Sequence, residues 1–353
     1  MGSISGSQTN IGVKIASTWG TAVAAGSGNK FGGELTPNFD PASILQARAV
    51  GSGWYMLPDE TKGAVIPTVS LVGDLGYRNN WDVILAQMMG TAAAPTETTT
   101  GQADYKHVVK FNTTLNTKYV TIAWESSSTT TIEIPTAACR KFGIKTTSIP
   151  GYLEASAELL GGQVNLSSST NTNTTLQATT FTEGTPELVA CDYSDYYRHN
   201  VASGSALNTG DTYAITSFDF NLERPQEIIP EIKGGTAWGV PTASGFVNGT
   251  LAVTVKELAD HAMFTIWNAE TAYKAIINVQ GTQIGTGTNK TWAIYIPRMK
   301  LISAPVYAVT DPGTNTLSLK WDLLYTSTAP TGMTGYNYPA FEITNTLSTS
   351  LLA

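Results

Sequence analysis

The chain states the same pattern twice, and that duplication limits its architecture more than any other feature. Gly63-Ala-Val-Ile-Pro-Thr68-Val69-Ser-Leu71, followed by an amphipathic stretch through Trp81, Ile84, Leu85 and Met88, returns 182 residues later. The second statement is Gly245-Phe-Val-Asn-Gly-Thr250-Leu251-Ala-Val253, with its own stretch through Leu258, Ala262 and Ile266. Further on, Ile134-Pro135 answers Ile296-Pro297, and Leu153–Leu160 answers Leu317–Leu324, at a shifted offset but in the same order. A doubled unit offers two nearly equivalent surfaces, which suits assembly better than a single active site. At 353 residues the chain also exceeds the usual size of one core, so two domains are expected.

The local patterns predict mainly β structure. Val65, Pro67, Val69 and Leu71 alternate as a half-buried strand does. A helix of about ten residues is expected from Asn79 or Asn80, either a plausible N-cap, to a stop at Gly90. Residues 91–104 are rich in breakers and read as loop. Strands are expected at 105–111, 118–125, 130–134, 142–148 and 152–160, then a polar boundary at 161–180. The second unit reads as strand 246–255, helix near 258–269, a hairpin of 273–280 with 291–296, and strands 299–308 and 315–324. The expected layout is an N-terminal assembly arm (1–30), a first domain (31–165), a linker (166–210), a second domain (211–330) and a C-terminal arm (331–353). Each domain is expected to be a β-sandwich or barrel with one short helix. Ile11, Val13, Ile15 and Trp19 at one end, and Tyr336, Tyr338, Phe341 and Ile343 at the other, want burial without an obvious local partner. For the first segment, docking on another subunit or folding back on the chain's own domain would each supply it; the second reads as another apolar arm.

Composition narrows the function. Charged residues make up 13% of the chain and the net charge is −7, with no Lys/Arg run beyond Arg140-Lys141. Grip on nucleic acid needs the opposite sign. Cys139 and Cys191 are the only cysteines, too few for a disulfide framework, so reduced thiols and a cytoplasmic origin are expected. The N-terminal residues lack a signal-peptide or myristoylation pattern, and no apolar run reaches membrane-spanning length.

Catalytic constellations are missing from the pattern. His107, His199 and His261 lie in separate segments without ligand spacing. Cys191-Asp-Tyr-Ser-Asp195-Tyr-Tyr-Arg-His199 gathers a thiol, two carboxylates and an imidazole but matches no metal spacing. Gly281–Thr291 resembles a phosphate loop only superficially, because Asn289 precedes Lys290 where glycine is required, and it reads as a hairpin tip. Glu154 and Glu158 share strand parity, as carboxylates in any β-protein can. Neither a catalytic residue, a metal site nor a cofactor is expected.

The Gly-rich start through Thr18-Trp19-Gly20, the strand–helix unit, the long hairpin and the Ile-Pro strand resemble the major tail tube protein of long-tailed bacteriophages, in the form that carries two tube domains per chain. The resemblance implies lateral association into rings around a channel, and stacking of rings into a tube through which genome DNA passes without specific binding. Two domains per chain imply a trimer with pseudo-sixfold symmetry and roughly 24 channel strands if each domain gives about four. It further implies partners of the tape measure, tail terminator and distal tail type, and a place in the virion tail after synthesis in the host cytoplasm. Acidic residues on inner strands would repel the duplex, and Glu125, Glu133, Glu154, Glu158 and Asp322 are the candidates for that lining. The arm residues named above are the candidates for contacts between rings. The alternative reading is another virion or cell-surface structural or adhesion module built of tandem β-sandwich domains.

Overall fold

The computed structural model describes residues 9–40, 43–45, 60–62, 65–115, 117–229, 238–255, 262–305 and 316–353. Expectations for Gly63, Leu258, His261 and residues 306–315 lie outside them. Strands of five residues or more are β1 (Ile11–Ala16), β2 (Glu34–Asn38), β3 (Thr68–Asp74), β4 (Tyr105–Phe111), β5 (Tyr119–Glu125), β6 (Thr131–Thr146) and β7 (Glu154–Gly161) in the first half. The second half contains β8 (Tyr196–Val201), β9 (Ile215–Glu223), β10 (Asn248–Val255), β11 (Tyr273–Gly285), β12 (Thr288–Leu301) and β13 (Leu317–Leu323), with β14 (Ala340–Asn345) near the C-terminus. The fold is mainly β, with helices α1 (Trp81–Met89), α2 (Asn173–Leu176) and α3 (Ala262–Asn268).

The duplication in sequence is a duplication in strand order. The first half pairs β1-β5-β6-β7-β3-β2, every pair antiparallel. The second pairs β8-β11-β12-β13-β10-β9 in the same way. In each half the helix falls between the third strand and the fourth of this set, α1 after β3 and α3 after β10. The register corrects one detail of the sequence match. Thr68 opposes Leu160 and Thr250 opposes Asp322, so Leu160 corresponds to Asp322 and Leu159 to Trp321. The echo at Leu153–Leu160 is thus displaced by two residues from the match expected. Facing is preserved because strand periodicity is two.

The halves are not separated by the expected boundaries. β6 of the first pairs with β9 of the second, from Lys141↔Glu223 to Thr146↔Phe218. One core runs through both, from Ile11 and Val13 to Trp321 and Phe341. The 166–210 linker is woven in as well: Thr185–Leu188 pairs with residues 76–78, and β8 is the outer strand of the second half. Several strands are longer than their apolar runs suggest. The candidates 130–134 and 142–148 form one strand, β6, which continues through Pro135 and takes up a bulge at Arg140. The hairpin of β11 and β12 reaches out to Gly287, whose φ of 81° supplies the left-handed turn residue. The 91–104 loop carries short strands at Gly90–Ala92 and Thr96–Glu97, both paired to β4.

α1 spans the residues its sequence predicts and ends at Gly90 in the left-handed C-cap, but Asn80 at the N-cap position has a φ of 74° and its side chain donates to Lys30 O instead of capping the helix. It lies wholly within the core, and this places Asp82 where water cannot reach. Asp82 Oδ1 accepts from Val83 N (3.0 Å), Oδ2 finds no partner, and burial lifts the carboxyl to about 6. A carboxyl whose folded pKa lies above its unfolded value stabilises the fold in acid and loses that contribution as pH rises through the folded value. Asp82→Asn is therefore expected to raise unfolding stability at pH 7 by about 3 kcal/mol, a gain that shrinks between pH 6 and pH 4. Denaturant titrations at pH 4 and pH 7 check this. An equal shift at both pH values would contradict it.

Candidate assembly surface

Eight strands, four from each half, form one continuous antiparallel sheet in the order β2-β3-β7-β6-β9-β10-β13-β12. Alternation gives it two unlike faces. Val69, Leu71, Ala155, Ala157, Phe142, Ile144, Phe218, Phe220, Leu251, Val253, Leu319 and Trp321 point into the core. The other face is polar along its width, and its residues line up across strands. One row runs Asp74, Glu154, Lys145, Asp219, Ala252, Lys320. A second runs Thr36, Ser70, Glu158, Lys141, Glu223, Asn248. A third runs Glu34, Val72, Ser156, Gly143, Asn221, Thr250, Asp322, Lys300. A groove of about 490 Å³ crosses this face over the β6–β9 joint. Gly143 sits at its floor, where a Cβ would meet Asn221 Oδ1 at 2.7 Å.

The charges alternate instead of massing. Lys145 Nζ lies 2.8 Å from Glu154, whose carboxylate raises the lysine pKa. Lys141 bridges Glu158 and Glu223 at 3.7 Å each, and Arg140 also binds Glu158. Seven carboxylates (Glu34, Asp74, Glu154, Glu158, Asp219, Glu223, Asp322) meet five cations (Arg140, Lys141, Lys145, Lys300, Lys320), an excess of two negative charges. Each exposed pair adds little stability, typically under about 1 kcal/mol. Together they make a face that is wet, patterned and mildly acidic.

Three of the five acids expected on a common surface are on this face: Glu154, Glu158 and Asp322. Glu125 and Glu133 are not. Both are buried, at 3% and 1% exposure, and serve as anchors for the segment after β7. Glu133 accepts from Asn165 Nδ2 (3.1 Å), Ser168 Oγ (2.8 Å) and Asn171 Nδ2 (2.6 Å). Glu125 accepts from Asn10 N and Nδ2 (2.9 and 3.0 Å), from Asn173 Nδ2 (3.3 Å) and from Gln177. The Ser/Thr/Asn-rich stretch that reads as a boundary is a set of donors folded over two buried carboxylates. Lys141, Lys145, Asp219 and Glu223 carry no sequence signal for this face, because the apolar runs break β6 in two and its pairing with β9 is non-local.

The arm residues are also placed within the chain itself. Ile11, Val13 and Ile15 are core residues of β1, which pairs with β5, so the segment is the outer strand of its own half, as β8 is of the other. Trp19 donates from Nε1 to Trp238 O (2.7 Å) and meets Tyr119 edge-on at 4.8 Å. At the other end β14 is inserted between β12 and β4, burying Phe341 and Ile343 completely. Tyr336 is buried beside Tyr295, and Tyr338 packs on Phe111 at 4.8 Å. The extra strand β4 has an edge to cover, and the C-terminal segment has the alternating apolar residues that cover it.

Of the titratable residues noted in sequence, His107, His199, Cys139 and Cys191 are buried. His107 Nε2 lies 2.9 Å from Leu347 O and 3.2 Å from Asn345 Oδ1. His199 stacks on Tyr213 at 3.8 Å, and burial pushes its pKa down to about 3, so the ring is neutral. Cys139 and Cys191 are buried free thiols whose pKa values burial raises. Among the described residues no group of three or more His, Cys, Asp or Glu could hold a metal ion. No described helix is long and apolar enough to cross a membrane. No protein-family model matches the chain, and no curated protein matches it in sequence.

Proposed function

We propose that the chain is a structural subunit of a bacteriophage tail tube. Three copies close into a ring of six like blocks, rings stack, and the polar face of the eight-stranded sheet lines a channel for genome DNA. The observation that carries this reading is the equal gift of four strands from each half to one sheet whose free face is largely polar, with Val72 and Ala252 the apolar exceptions in its rows. A soluble monomer gains nothing from so broad a sheet with an edge, at β2, that no described strand covers and that invites unplanned strand pairing. Three chains supply 24 strands at about 4.8 Å each, a circumference of roughly 115 Å and a backbone diameter near 37 Å before strand tilt widens it. That bore is water-filled and clears a B-form duplex. A mildly acidic wall with Lys141, Lys145 and Lys300 tied to carboxylates lets phosphate pass without gripping it. Tape measure, terminator and distal tail proteins are the partners this role entails, and the virion tail its location.

Mass photometry and sedimentation of concentrated protein test the reading. Particles in steps of three chains, 3 × 37.4 = 112 kDa, and longer tubes are expected. A monomer at every concentration would contradict it. A second reading, an adhesion module, draws on exposed aromatics at Tyr193 (99%) and Phe246 (96%), the first beside a cleft lined by Tyr196 and Tyr213. Saturable glycan binding by a monomer would favour it.

A further inference from the structure

Two features of the first half lack a counterpart that the second half possesses. The first is an edge. β9 is bonded on both sides, to β10 and to β6, whereas its equivalent β2 is bonded only to β3 among the described residues. The strand that would match β6 in such a joint is β12. Past Leu301 it makes one more bond to β13, Ile302 N to Lys320 O at 2.9 Å, and then leaves the ladder at Ser303. β6, held from both sides, stays in register with β7 as far as Lys145.

The second feature is a cavity. About 550 Å³ opens beside β2, lined by Ile11, Leu35 and Trp124 among others. Tyr197, Phe218 and Ile277 occupy the equivalent positions in the second half, since Tyr197 opposes Ile277 as Ile11 opposes Trp124. They too line a cavity, of about 400 Å³, but one of its walls is Ile149, three residues beyond the end of β6 and so delivered from across the joint. Among the described residues the first-half cavity has no such wall.

We propose that the joint inside the chain is repeated between chains: the outer edge of β2 and the cavity beside it receive residues 302–305 of a second copy. The partner is the same polypeptide because the internal joint is its template. Seven successive antiparallel pairings leave β2 and β12 running in opposite directions, so the joint between copies is antiparallel like the one within. Such a contact joins two different patches head to tail and, repeated, closes a ring. The register follows from the repeat. Ala304 takes the place of Gly143 and Asn38 that of Asn221, so these two residues oppose one another. Pro37 and Pro305 each lack a donor, which makes the joint sparser than its model and guards the free chain against pairing with a stray strand. This inference deepens the ring reading and rests on it.

Opposed strand residues have Cα atoms about 4.5–5.5 Å apart, within reach of a disulfide. The native cysteines are buried and do not compete. The double variant Asn38→Cys/Ala304→Cys, assembled and mildly oxidised, is expected to run on a non-reducing gel as covalent dimer and trimer. Each single variant should remain monomeric on the gel, and Lys145→Cys/Asp219→Cys should close within one chain as a control on the internal joint. Rings or tubes visible by microscopy whose double-variant chains stay unlinked would overturn the proposed edge while leaving the ring reading intact. No particles from wild-type protein at all would overturn the ring reading itself.

Discussion

Deleting residues 336–353 is expected to leave no folded protein. An arm that docks elsewhere can be removed with its domain intact, but β14 is a central strand. It pairs with β12 along Thr291–Tyr295 and with β4 along Tyr105–Lys110, so its loss strips a ladder from each. It also removes Phe341 and Ile343, both fully buried, with Phe341 edge-on to Phe220 at 5.5 Å. Asn345 goes with them, whose Nδ2 donates to Tyr77 O in the core (3.0 Å). Phe341→Ala alone is expected to cost about 3–5 kcal/mol, a large part of the 5–15 kcal/mol by which typical domains are stable. Circular dichroism and proteolysis of the truncated chain check the first expectation, and denaturant midpoints the second. A cooperative melt near that of the full chain would contradict both.

Reversing three charges on the polar face is expected to turn a surface that ignores DNA into one that holds it. Asp74→Lys, Asp219→Lys and Asp322→Lys change the balance from seven acids and five cations to four and eight, from −2 to +4 per chain and from −6 to +12 per ring of three. Wild-type assemblies should not retain a short duplex at physiological salt, where the Debye length is about 8 Å. The triple variant should, with an affinity that falls by about a thousandfold or more between 50 and 200 mM salt as condensed counterions are displaced. Anisotropy titrations of labelled duplex at several salt concentrations read this directly. Equal binding by the two proteins would remove the channel role from this face.

What could be read ahead of the structure, and what could not, divides along the range of the forces involved. The helix end at Gly90 is a local event decided by φ, and it was legible, as was the position of the start at Asn80, though not by the side-chain cap the residue type suggests. The alternation in β3 and β10, and the Ile-Pro mark shared by β6 and β12, carried the duplication. Pairing partners were not legible, because a strand shows which face it buries and not which neighbour it meets. For that reason Glu133 looked like a surface acid. Its parity is that of an exposed residue in an isolated strand, and only the return of Asn165, Ser168 and Asn171 buries it. Ile11–Ile15 resembled an arm because its partner β5 is over a hundred residues distant, and Phe341–Ile343 because one of its two partners, β4, is in the other half. The β6–β9 joint, on which the assembly argument depends, has no sequence signature at all.

The most direct test of the central claim is the end-on view of the assembled particle by electron microscopy. The account predicts a closed ring of three chains in which six lobes surround a central channel at nearly equal spacing, alternate lobes differing because the two halves do. A ring of any other chain number, or three lobes with no sixfold repeat in the channel wall, would contradict it.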